Sequence, residues 1–412
     1  MQHGEGIARP GSTPKARRGS CGVAVDLPEI PGRICSASLP DVRQARNRVP
    51  TPCPTGASAA CNDNARPQSR KRSARPRQWL RNQFRWNGRC SCNLSGTMRK
   101  AILHLGLHKT GTTFLQLSMR RWLDRGADRH LPVFFSSQHM PSSKWKKFRS
   151  EFYVKFRNAI ARAPLGPVPA NSAAIQERLG NLGLLPEFEM LRDFFDRPET
   201  VLVHSDENSL GAMFGHLIGS RREVIPFYPN GDWLSAIFAA AAHANFDDVE
   251  VVLTLRRFDE LIVSSLKSII RSERGVPPID MFLAGLRDMG ARCRSIIEAT
   301  SRLQFVSSLH ILEFQTLQTS PQRYFEAFCG LTGADRICTL PNGHKVNPSI
   351  TDNEALNRLV ASGSLNQAER ARCGTLSDLI GRDFLHTLAK DYESLQHDLA
   401  AAGHSKRVNY YN

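Results

Sequence analysis

The sequence predicts an α/β protein with a mostly parallel sheet covered by helices on both faces, and three observations predict it. Short β-branched runs of strand length alternate with helical patterns between residues 98 and 350. The first run ends in a glycine-containing loop that opens directly into a helical pattern, a strand–loop–helix unit. An apolar content of 41% in 412 residues supplies a sizeable core, for one large domain or two ordinary ones.

The elements follow in order. Residues 1–97 are rich in Pro, Arg, Ser and Gly without a sustained apolar period, and read as a disordered basic tail. Met98 stands directly before RKAILHLG, where a folded domain would begin, so a native chain starting there is an open alternative. KAILHLG (100–106) is the first strand and its exit, and TTFLQLSMRRWL (112–123) has helical spacing. Residues 130–198 mix aromatic and polar segments and read as an inserted, mostly helical region. TVLVHS (200–205) is the second strand, WLSAIFAAAA (233–242) suits a buried helix, and VEVVLTL (249–255) is the third strand. FDELIVSSLKSIIRSE (258–273) is an amphipathic helix straight after it. LHILEF (309–314) makes a fourth strand, and SPQRYFEAFCGLTG (320–333) a helix with Ser320 as its cap and Gly330 or Gly333 near its end. Residues 351–412 complete the domain as a helical extension packing on it, and no internal repeat is visible.

Charge and cysteine usage narrow the class. Of the net charge of +17, +12 falls in residues 1–97, leaving a mildly basic body. RQARNRVP and QSRKRSARPRQWLRNQFRWNGR, with Trp79, Phe84 and Trp86 as stacking residues, would suit electrostatic binding of nucleic acid, against the simpler reading of a solvated tail. No apolar run reaches the roughly 18 residues of a membrane helix, and MQHGEGIARPGSTPKARRGS lacks the apolar stretch of a secretory signal. Cys90 and Cys92 are too close for a zinc pair, and Cys293, Cys329, Cys338 and Cys373 are scattered as reduced cytoplasmic thiols are. A cytoplasmic protein without a metal site is the expectation.

HLGLHKTGTTFLQ (104–116) carries the chemistry. Gly106 and Gly111 frame four residues as in a phosphate-binding P-loop, but Thr112 stands where a nucleoside-triphosphate loop has its lysine. The lysine, Lys109, lies two residues before Gly111. Backbone N–H groups running from a glycine turn into a helix N-terminus form an anion site. Gly111 lets the chain approach a ligand closely, Thr110, Thr112 and Thr113 offer hydroxyl donors, and Lys109 puts a charge at the loop's mouth. LRRFDELIVSSLKSIIR (255–271) supplies a second anion site: Arg256 at the strand end and Ser264 two turns along point towards the carboxyl edge of the sheet. Two such sites suit a ligand with two separated phosphates.

These residues resemble the sulfotransferases that use 3′-phosphoadenosine 5′-phosphosulfate (PAPS), in the wording of their bacterial branch. The family's 5′-phosphosulfate loop is matched by Lys109, Thr110, Gly111, Thr112, Thr113, Phe114 and Leu115. Its 3′-phosphate motif, Arg with Ser eight residues later, is matched by Arg256 and Ser264 with Glu260 between them, while Phe258 replaces the family's proline at the helix start. ILEFQTLQTSPQRYFEAFCGLTG (311–333) is similar to the family's late strand–helix segment, and GHKVNPSIT (343–351) to the Asn-x-Ser of bacterial relatives. The resemblance spans roughly residues 100–350. It implies a three-layer α/β core with P-loop-NTPase-like topology and PAPS as donor without a metal. It also implies that Lys109 reaches the oxygen bridging phosphate and sulfate.

Sulfuryl transfer to a hydroxyl or amine also needs a general base. His108, His204 and Glu207 lie near the expected strand ends, with Glu207 in the Ser-x-Glu-Asn wording of bacterial relatives, and His108 open to positioning the donor instead. His104 reads as a packed strand histidine. Two rivals stand beside this reading: a P-loop nucleoside or small-molecule kinase with Asp206 holding its metal, and a nucleic-acid-binding protein acting through the tail. A small-molecule, glycan or lipid acceptor is open.

Overall fold

The computed structural model describes residues 98–124, 133–137, 154–218, 223–272, 276–333, 340, 349–402 and 408–411. The basic tail, Cys338 and most of the stretch 343–351 lie outside them. In chain order the elements begin with β1 (Lys100–His104), α1 (Thr112–Asp124), β2 (Val133–Ser137), α2 (Val154–Arg162), α3 (Ser172–Asn181) and α4 (Leu185–Phe195). Next come β3 (Val201–Ser205), a short hairpin of β4 (Leu217–Ile218) and β5 (Glu223–Val224), α5 (Gly231–His243), β6 (Asp248–Leu255) and α6 (Phe258–Arg271). After α7 (Ile279–Ala284) and α8 (Met289–Arg302) come β7 (Ser308–Glu313), α9 (Phe314–Thr319) and α10 (Pro321–Gly330). The chain closes with α11 (Asp352–Ala361), α12 (Gln367–Arg372), α13 (Leu376–Ile380), α14 (Arg382–Ala402) and β8 (Val408–Tyr411).

One parallel sheet of six strands, in the order β2-β3-β1-β6-β7-β8, organises all of this. Strand side chains alternate between two cores, as a period of two requires. Ile102, Val203, Val252 and Leu312 face α1 and α10 through Phe114, Leu115, Met119, Phe325 and Phe328. Their neighbours Ala101, Leu103, Leu202, Val251 and Ile311 face α3–α6, α8 and α14. Both faces are therefore covered, which makes the protein a three-layer α/β fold with P-loop-NTPase-like strand order, as the sequence predicts. Among the described residues no helix is long and apolar enough to cross a membrane.

Besides the β4–β5 hairpin, two strands of the six-stranded sheet were not expected, one at each edge. β2 lies inside the stretch 130–198 that reads as helical, ahead of α2–α4, and pairs with β3 from Val133 opposite Val201. β8 ends the C-terminal extension and pairs with β7, so that extension is not helical throughout. Ser320 occupies the capping position of α10, but its side chain makes no capping hydrogen bond; Pro321 at N1 starts the helix instead. α6 starts without the family's proline, and Phe258 in its place is fully buried against Tyr392 of α14.

Glu313, at the carboxyl end of β7, is buried and ties the extension to the sheet. Its carboxyl oxygens accept from the hydroxyls of Tyr392 and Tyr410 and, at 2.9 Å, from Gln396 Nε2. Burial, followed by the neighbouring Glu313, raises the Tyr392 phenol far above its ordinary range, so it remains a donor. Two buried histidines add polar links within the layers. His104 contacts Ser205 Oγ at 2.8 Å and Thr254 Oγ1 at 3.1 Å, and His204 contacts Ser136 Oγ at 3.2 Å and Ser209 Oγ at 3.0 Å. Burial pushes the pKa of each down to about 3.

Two outcomes follow from these groups. Tyr392→Phe and Tyr410→Phe should each lower unfolding free energy by about 1–3 kcal/mol in urea titrations, and the double variant should lose less than the sum, because both donors serve one carboxyl group. An unchanged midpoint in Tyr392→Phe would remove this anchor. The histidines bind protons near pH 6.5 when unfolded and near 3 when folded, so between these values the unfolded state holds more protons. Their contribution is complete above about pH 6.5 and is lost as pH falls towards 3. His204→Gln should flatten that acid slope of Tm against pH.

Candidate functional site

The loop between β1 and α1 is built by anchoring alternate residues. Leu105 and Leu107 are buried in the core, and the Leu105 N–H donates to Val252 O at 3.0 Å. The Thr110 hydroxyl donates to Leu107 O at 2.6 Å and is fully buried, so Thr110 braces the loop and offers a ligand only its backbone. Gly111 adopts φ +84°, and a Cβ there would lie 2.3 Å from Leu317 Cδ2. The close approach of α9 by itself therefore requires glycine there, beside the ligand approach that the sequence suggests. Lys109 has φ +66°, a left-handed conformation that costs a non-glycine residue roughly 1–2 kcal/mol. Its side chain is half-buried.

At the start of α1, Thr112, Thr113 and Phe114 contribute the N–H groups that have no acceptor within a helix. No acidic residue in that first turn compensates the positive helix end. Thr112 Oγ1 is buried with no hydrogen-bond partner among the described residues, and it lies over Gly106, where a Cβ would come within 2.6 Å of it. Thr113 is partly exposed. Phe114 packs into the α1–α10 core and seats the helix.

From β6, Arg256 reaches across the loop: its Nη1 donates to Lys109 O at 3.1 Å and its guanidinium lies 4.3 Å from the centroid of Phe314. Its Nε pairs with Glu260 Oε2 at 3.4 Å. Burial lowers the Arg256 pKa, and Glu260 opposes that shift. Beside it lies a pocket of about 330 Å³ lined by Arg256 and Ser264 together, as their spacing suggests, and by Ser349 of the Asn-x-Ser stretch. Lys267 and Ser377 line it too. Lys267 was legible in principle, since it continues the Glu260–Ser264 face of α6 by one turn; Ser377 carried no signal. The carboxylates in the wall, Asp259 and Glu260, are paired with Arg257 and Arg256.

From β3, the turn Asp206–Glu207–Asn208 closes the other side. Asp206 Oδ1 accepts from Asn208 N and Nδ2, both at 2.8 Å. Asn208 hydrogen-bonds the His108 ring. The His108 N–H donates to the Tyr228 hydroxyl at 2.7 Å, and His108 Nδ1 lies 2.6 Å from the same oxygen. The phenol oxygen accepts the backbone N–H and shares one further proton with Nδ1, in a direction set by the imidazole tautomer. Burial lowers the His108 pKa to about 3, and Lys109, Arg157 and His216 add to the shift while the Asn208 bond opposes it. The buried, neutral ring is thus held by Tyr228 and Asn208. His204 is excluded by its place inside the sheet, fully buried and stacked on Phe238.

Glu207, the carboxylate among the three candidates, is partly exposed. Burial lowers the Lys109 pKa, and the charge of Glu207 is close enough to oppose this; Arg271 and Arg256 lower it further. The structure thus brings Lys109 together with Arg256 on one side and Glu207 on the other. Tyr228 was missed by the sequence reading. It adopts φ +35°, and among the described residues it and Lys109 are the non-glycine residues with positive φ. Both flank His108, and such strain persists only where surrounding contacts over-determine it. Among the described residues no group of three or more His, Cys, Asp or Glu side chains is arranged to hold a metal ion.

No protein-family profile matches the chain, and no curated protein matches it in sequence. Among solved structures, a sulfotransferase from Alicyclobacillus acidocaldarius is similar over 68% of this chain and 96% of its own, at 15% identity and a TM-score of 0.33. Likeness at that level carries no argument about the site.

Proposed function

We propose that the protein transfers a sulfuryl group from PAPS to a hydroxyl or amine acceptor. The observation that carries the reading is the Arg256–Lys109 hydrogen bond: one arginine both holds the β1–α1 loop and lines the pocket that contains Ser264. A donor with phosphates at its 3′ and 5′ positions would engage both. The unpartnered Thr112 hydroxyl and the N–H groups of Thr112 and Thr113 at the start of α1 suit the 5′-phosphosulfate.

In this reading the acceptor oxygen or nitrogen attacks sulfur while the bond from sulfur to the bridging oxygen breaks, and its electron pair leaves with the 5′-phosphate. Lys109 stabilises the charge growing on that phosphate. Glu207 takes the acceptor's proton. Arg256 and Ser264 hold the 3′-phosphate throughout, and Tyr228, His108 and Asn208 fix the loop. The kinase reading has less support, because Asp206, on which it depends, is engaged in orienting Asn208.

Calorimetry should find 3′-phosphoadenosine 5′-phosphate bound on the order of tenfold or more tightly than AMP, since the 3′-phosphate adds charge-assisted hydrogen bonds. Equal affinities, or preference for ATP with Mg²⁺, would sink the donor assignment.

Variants separate strain from chemistry. Lys109→Ala and Lys109→Gly should both lose turnover by about 10²-fold or more. Lys109→Gly should be the more stable of the two by about 1 kcal/mol, because only glycine adopts the left-handed turn without penalty. Glu207→Gln should keep donor affinity while turnover falls roughly 10²–10⁴-fold. Normal turnover in Glu207→Gln would take the base role away from it.

A further inference from the structure

The Arg256–Ser264 pocket contains a second cation, on which neither the loop nor the Arg–Ser spacing depends. On α6, Glu260, Val263, Ser264 and Lys267 follow the i, i+3, i+4, i+7 pattern of one helix face, and all four line the pocket. Lys267 Nζ lies 2.5 Å from Asp352 Oδ1, with the two side chains 18% and 28% exposed. Asp352 opens α11, and its other oxygen, Oδ2, accepts the N–H of Leu376 at 3.1 Å, at the start of α13. The next residue, Ser377, is in the pocket wall. One carboxylate therefore holds both the lysine and the segment facing it.

We propose that Lys267 is a third binding group for the donor's 3′-phosphate, and that Asp352 is a competing carboxylate that a bound phosphate displaces from it. This rests on the reading of the pocket as the 3′-phosphate site. A phosphate dianion beside Arg256 alone would be under-compensated, because that guanidinium is already shared with Glu260 and Lys109 O. Lys267 is the cation on the same wall that can supply the second charge. Its pair with Asp352 lies at the pocket wall and is partly open to solvent, so a dianion can reach the lysine and offers it more charge than a carboxylate shared with the Leu376 N–H. The C-terminal extension then contributes directly to donor recognition, through Ser377 as a wall and Asp352 as a brake on affinity.

The two partners should respond with opposite signs. By calorimetry, Lys267→Gln should weaken binding of 3′-phosphoadenosine 5′-phosphate by about tenfold and leave AMP unchanged, and Lys267→Arg should restore most of the loss. Asp352→Asn retains an acceptor for the Leu376 N–H but removes the charge. It should tighten the same nucleotide several-fold, again without effect on AMP. Weaker binding in Asp352→Asn, or equal losses for both nucleotides in Lys267→Gln, would overturn the proposal. Thermal melting of each variant reports whether the fold persists. If the unsubstituted protein does not discriminate the two nucleotides, the donor reading itself fails. Titration with inorganic phosphate then decides the rest: binding lost in Lys267→Gln retains an anion site there, and unchanged binding removes it.

Discussion

The site depends on one turn, the passage from β1 into α1, being held in a conformation the chain would not adopt by itself. Lys109 in the left-handed region opposes folding by roughly 1–2 kcal/mol, and Gly111 follows it there two residues later. Three contacts hold the turn: the Thr110 hydroxyl on Leu107 O from within, Arg256 on Lys109 O from β6, and Tyr228 on the His108 N–H from the β3 side. Two of these come from residues more than 100 positions away. The loop is therefore a tertiary product, and its geometry is as reliable as the strands that flank it.

The same packing sets what the histidines near the site can do. His104, His108 and His204 are all buried, and desolvation holds each neutral down to about pH 3. A neutral imidazole can donate at one nitrogen and accept at the other, which suits it to bridge strand to strand or loop to tyrosine. A base working near neutrality needs a higher pKa and access to solvent or substrate. Those histidines have neither, whereas Glu207, one residue beyond the buried Asp206, retains exposure.

The sequence made the central sheet legible because β1, β3, β6 and β7 are apolar runs long enough to distinguish from helices. It made the loop legible because a lysine, a glycine and three threonines together have few structural reasons to coincide. β2 and β8 escaped for a physical reason. VFFSS and VNYY are partly exposed edge strands with one neighbour each, and polar residues interrupt the apolar run that marks a buried strand. Tyr228 and Asn208 escaped differently: nothing local to either residue says that it meets His108. The inward turn of the Thr110 hydroxyl and of Phe114 escaped on the same ground, since a motif fixes which residues occupy a loop but not which way each one faces.

The C-terminal return of the chain is part of the site's support as well as of the fold. Glu313 is gripped by Tyr392 and Gln396 of α14 and by Tyr410 of β8, and the next residue is Phe314. Phe314 is the surface on which the Arg256 guanidinium rests, and it flanks Gly111 together with Leu317. A guanidinium lying on an aromatic face has its plane fixed, and so does the hydrogen bond it sends to Lys109 O. The grip on Glu313 therefore reaches the anion loop through two contacts, neither of which involves a motif residue other than Arg256 and Gly111. A motif of this kind specifies the groups that meet a ligand, whereas their aim is set by side chains drawn from the end of the chain.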